Sequence, residues 1–206
     1  MKKFEILPTD IGFYFKKNRR FFFVFLICFL VGQVLGIIFV CSSDSYLNLI
    51  SSSNKILTSY VNGSASYGGL FWSKLISFLI PLILIFILNL NFYVGLFSNV
   101  FIIYQSALFL MSNACVISLY GFGGVLSTIF ISLPINLIYF AALSLFVVAC
   151  GWRSFNAQKC KQFSFGFGES EFILPVVISI VIVVLLTIFA VLIYPLFFKN
   201  ICYIVI

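Results

Sequence analysis

The side chains able to do chemistry in this chain are mostly neutral, and they sit inside long apolar runs. Gln33 lies between Gly32 and Gly36. Gln105 and Asn113 share another run with Asn99, Ser106 and Ser112. Gly121-Phe122-Gly123-Gly124 opens a further run that carries Pro134 and Asn136. In an apolar medium such carboxamides and hydroxyls bond across helix interfaces, and glycines four apart let backbones approach closely. The chemistry on offer is therefore packing and hydrogen bonding. Acid–base chemistry lacks its players. The carboxylates Glu5, Asp10, Asp44, Glu169 and Glu171 all fall outside the apolar runs, and the chain has no histidine. Proton relays and ion paths place an ionisable group at membrane depth. A Ser nucleophile needs a His or Lys beside it.

Metal and phosphate chemistry fare no better. Cys28, Cys41, Cys115, Cys150, Cys160 and Cys202 are scattered singly and read as small hydrophobic residues. Zinc needs clustered ligands. The Gly121–Gly124 turn lacks the Lys-Ser/Thr that a phosphate-binding loop carries. No catalytic residue, metal or cofactor is expected, and the chain reads as a non-enzyme.

The elements that position these groups follow from composition. Of 206 residues, 63% are hydrophobic and 8% charged, against about 25% charged in soluble domains. The bilayer is the expected solvent. The net charge of +7 does not point to nucleic acid, because the cations gather at the flanks of apolar runs. An all-α bundle of about five transmembrane helices is expected, as one integral membrane domain. Its parts are a basic N-terminus over 1–20, spans over 21–41, 74–91, 92–120, 124–149 and 172–198, an outer loop over 42–73 holding short amphipathic helices, and a basic loop over 150–171. The first span is longer than a signal-peptide core and no small-x-small site follows it, so it reads as retained. Residues 75–119 allow an alternative, a pair of irregular re-entrant helices. Asn62-Gly63-Ser64 matches a glycosylation sequon, relevant only in a eukaryotic secretory pathway.

Charge sets the expected orientation. With the N-terminus in the cytoplasm, nine cations face inwards: Lys2, Lys3, Lys16, Lys17, Arg19, Arg20, Arg153, Lys159 and Lys161. Three face outwards: Lys55, Lys74 and Lys199. This is a positive-inside pattern, and five spans then put the C-terminus outside the cell membrane.

Pro134 removes a backbone donor and is expected to bend its helix. Asn136 lies two residues on, about 200° round the helix. It is expected to face the polar third span with Gln105, Ser112 and Asn113. The alternative is that it caps the kink within its own helix.

These residues carry a resemblance. Gly121-Phe-Gly-Gly, then Leu133-Pro-Ile-Asn-Leu-Ile138 and Phe140-Ala141, resembles the central motif of stage II sporulation protein M and its relatives, a Gly-x-x-Gly turn followed by Leu-Pro-Gln-Asn-Leu-Ile. Ile135 stands where that family usually has Gln. The basic run Phe15 to Arg20 followed by Gly32 and Gly36 is also similar. The resemblance implies a non-enzymatic membrane scaffold. It would anchor peptidoglycan-degrading enzymes, an amidase and a lytic transglycosylase, as in forespore engulfment. The expected partners are membrane lipid, such cell-wall hydrolases and a second copy of the chain. A permease subunit of an ABC-type exporter is the alternative, with the 150–171 loop against an ATPase.

Overall fold

A computed structural model describes residues 18–42, 48, 66–90, 95, 97–160 and 170–205. Residues 1–17 of the N-terminal basic segment, most of the expected outer loop with its sequon, and residues 161–169 lie outside this set. Among the described residues the chain is helical and contains no strand. The helices are α1, Arg19–Ser42; α2, Tyr67–Leu88; α3, Ser98–Ser127; α4, Leu133–Cys160; and α5, Ser170–Val205. A π turn, Thr128–Ser132, joins α3 to α4. Four helical stretches are long and apolar enough to cross a membrane: Arg19–Ser42, Tyr67–Leu88, Ser98–Phe155 and Phe172–Ile193. At 1.5 Å per residue the shortest of them rises about 33 Å, enough for a hydrocarbon core of about 30 Å.

Several boundaries differ from the sequence reading. α2 begins at Tyr67, seven residues before the expected start of the span at 74 and so within the stretch read as outer loop. Ser66 caps it, its hydroxyl accepting from the Gly69 amide at 3.0 Å. α4 runs on to Cys160, through the first part of the stretch read as a basic loop. No proline or glycine-rich turn stops it there.

The 58-residue stretch from Ser98 to Phe155 is not a straight rod. Gly121 has φ 54° and ψ −124°, a conformation closed to residues with a Cβ. There the chain doubles back. In an unbroken helix residues 113 and 132 would stand about 28 Å apart, yet their side chains share a hydrogen bond of 2.5 Å. The limbs meet closely below the turn. A Cβ on Gly124 would lie 2.7 Å from the Ile117 Cα and nearer still to the Val116 carbonyl.

Helix direction follows from the contacts. Gly32 faces Ile103, and Gly36 faces Ala107, so α1 and the first limb of α3 run parallel. Phe29 meets Phe140 and Phe21 meets Phe155, so α4 runs antiparallel to α1. Arg19, Arg20 and Arg153 consequently share one end of the bundle. Arg153 lies over the Phe172 ring at 4.5 Å, which ties α4 to the start of α5.

α4 is the hub. Tyr139 stacks on Phe78 of α2 at 4.7 Å, and the adjacent Phe140 meets Phe29 of α1 at 4.8 Å and Phe109 of α3 at 5.9 Å. Ala142, Leu143, Val148 and Ala149 below them are all at most 1% exposed. The outward faces of α1, α2 and α5 remain covered with exposed Val, Leu, Ile and Phe, the surface that lipid solvates.

Gly121→Ala is expected to strain the reversal by about 1–3 kcal/mol. Unfolding in mixed detergent micelles checks this: the variant should unfold at a lower denaturing-detergent fraction than the parent, while Gly68→Ala, where an added Cβ meets nothing within 4 Å, should not.

Candidate functional site: two neutral polar ties within the bundle

The first tie joins α1 to α3. A Cβ on Gly32 would sit 2.7 Å from the Ser106 Cβ and closer to the Ile103 carbonyl. One on Gly36 would lie 3.0 Å from the Ala107 carbonyl. Only glycine permits this approach. Beside it the Gln33 Nε2 donates to the Ser106 carbonyl at 2.9 Å and to the Ser106 Oγ at 2.7 Å. The Ser106 hydroxyl donates in turn to the Phe29 carbonyl at 2.7 Å. Ser106 is fully buried. A carboxamide and a hydroxyl are thus satisfied by each other and by backbone, with no charge present.

Ser106 rather than its neighbour Gln105 takes the bond. Gln105 is half-buried and lies about 100° round the helix from the α1 contact. The sequence reading counted Ser106 among the polar load of this run but singled out the larger Gln105. The docking face is set by the glycines opposite, and Ser106 is the polar residue on that face.

The second tie joins the two limbs of the reversal. Ser132 Oγ donates to the Asn113 Oδ1 at 2.5 Å. Asn136 Nδ2 donates to the Ser132 carbonyl at 2.7 Å and makes a longer contact of 3.3 Å with the Ser132 Oγ. Asn136 therefore does not reach the third helix itself, contrary to the expectation from its spacing. It braces Ser132 from within α4, and Ser132 makes the crossing. The expected partners Gln105 and Ser112 take no part: Ser112 is exposed, and its hydroxyl closes on the Phe109 carbonyl at 2.9 Å.

The π turn explains the change of direction. The Leu133 N–H bonds to the Thr128 carbonyl, five residues back rather than four. One extra residue in the turn rotates everything after it by about 100°. Pro134 follows directly and faces outwards. Its missing N–H is accommodated where the ladder is already widened. Ile135, at the position where the resembled family has Gln, is 2% exposed and packs in the core. Thr128 Oγ1 is buried and has no hydrogen-bond partner among the described residues.

Among the described residues no group of three His, Cys, Asp or Glu comes together. Comparison with family models, with curated proteins and with solved structures returns no match to this chain.

Two outcomes are expected from these ties. Gln33→Leu should weaken the bundle by about 0.6–2 kcal/mol, as for other interhelical bonds in membranes. Gly32→Ile should cost clearly more, since it separates the backbones. Detergent unfolding of the two variants ranks them. Second, in a cysteine-free background, cysteines at 113 and 132 should crosslink readily and cysteines at 105 and 136 should not.

Proposed function

We propose that this protein is a non-enzymatic scaffold of the cell membrane that crosses it five times and recruits peptidoglycan-degrading enzymes, an amidase and a lytic transglycosylase, on the outer side. The observation that carries the reading is the glycine reversal at Gly121 coupled to the Leu133-Pro134-Ile135-Asn136 helix. Of the residues that carry the resemblance to stage II sporulation protein M, Gly121 turns the chain, Gly124 lets its limbs meet, and Asn136 braces the Ser132 that crosses to Asn113. Residues that serve architecture fit a scaffold, in which groups at depth need only hold the helices in place.

The helix directions support five crossings. α1 and the first limb of α3 run parallel while α4 runs against both. Crossings that alternate require this if α2 returns between α1 and α3, and if the reversal at Gly121 lies at a membrane surface. The gathering of Arg19, Arg20 and Arg153 at one end supports a cytoplasmic N-terminus and an extracytoplasmic C-terminus. The polar ties consist of amides and hydroxyls, which neither bind nor release protons near neutrality. They serve packing without supplying a path for ions.

The test has two arms. In a cysteine-free background of the full chain in its native membrane, single cysteines at Ser52 and Gln158 should be labelled from opposite sides, position 52 from outside. Labelling from the same side refutes the five-crossing arrangement. Affinity isolation after mild crosslinking should then recover a cell-wall amidase or transglycosylase. Purified chain alone should leave peptidoglycan intact. Recovery of an ATP-hydrolysing subunit in their place would instead establish the exporter reading.

A further inference from the structure

We draw no further inference here: the strongest candidate, the cluster of Arg19, Arg20 and Arg153 at one end of the bundle beside the buried Ser154 hydroxyl, belongs to the charge pattern already described, and nothing in the structure shows what it would hold.

Discussion

Helices already immersed in hydrocarbon gain little from hiding apolar surface against one another, because lipid tails are as apolar as Leu. Something shorter-ranged has to hold α1 against α3, and it is backbone proximity. At Gly32 and Gly36 the absence of side chains brings the α1 backbone onto the carbonyls of Ile103 and Ala107. Dispersion rises steeply at such separations. The same approach puts Gln33 within reach of Ser106 and Ser106 within reach of the Phe29 carbonyl. The hydrogen bonds depend on the glycines rather than the reverse. Once α1 and α3 are locked in parallel, the groove between them receives α4, and Phe140 fills it between Phe29 and Phe109.

The other hydroxyls show how selective this arrangement is. Ser77, Ser179 and Thr187 each return their proton to the carbonyl four residues earlier, and Ser112 and Ser144 to the carbonyl three residues earlier. They are satisfied without a neighbour and say nothing about which helices touch. Ser106 and Ser132 behave differently. Each crosses to another limb, and each is met by a carboxamide that supplies a further contact. Two small residues placed opposite amides thus carry the directional information in a bundle with hardly any charge inside it.

Much of this could be read from residue order alone. The apolar runs locate the helices, because no other backbone satisfies itself in lipid. Gly32 and Gly36 announce a close contact by their spacing, and Gly121 announces a turn. What could not be read was azimuth. These helices are apolar on nearly every side, so periodicity does not mark an inward face. Choosing between Gln105 and Ser106 required knowing where the glycines of α1 dock. Asn136 was harder still. Its direction depends on the π turn before it, and no local residue pattern at Thr128 to Ser132 declares that a turn will hold five residues rather than four. The extra residue swings Asn136 away from α3 and hands the crossing to Ser132.

That same rotation decides which surfaces remain for partners. α4 is sealed from Tyr139 to Cys150 except for the exposed Ala141 and half-buried Leu145, so the hub offers little to another protein within that stretch. The outward faces of α1, α2 and α5 are almost wholly aliphatic and aromatic, which suits lipid without distinguishing it from a partner helix. The exposed side chains of α3, among them Val100, Tyr104, Leu108 and Ile117, are equally apolar or aromatic. Specificity inside the bundle therefore lies in glycine contacts and neutral polar ties, which decide how its own helices meet.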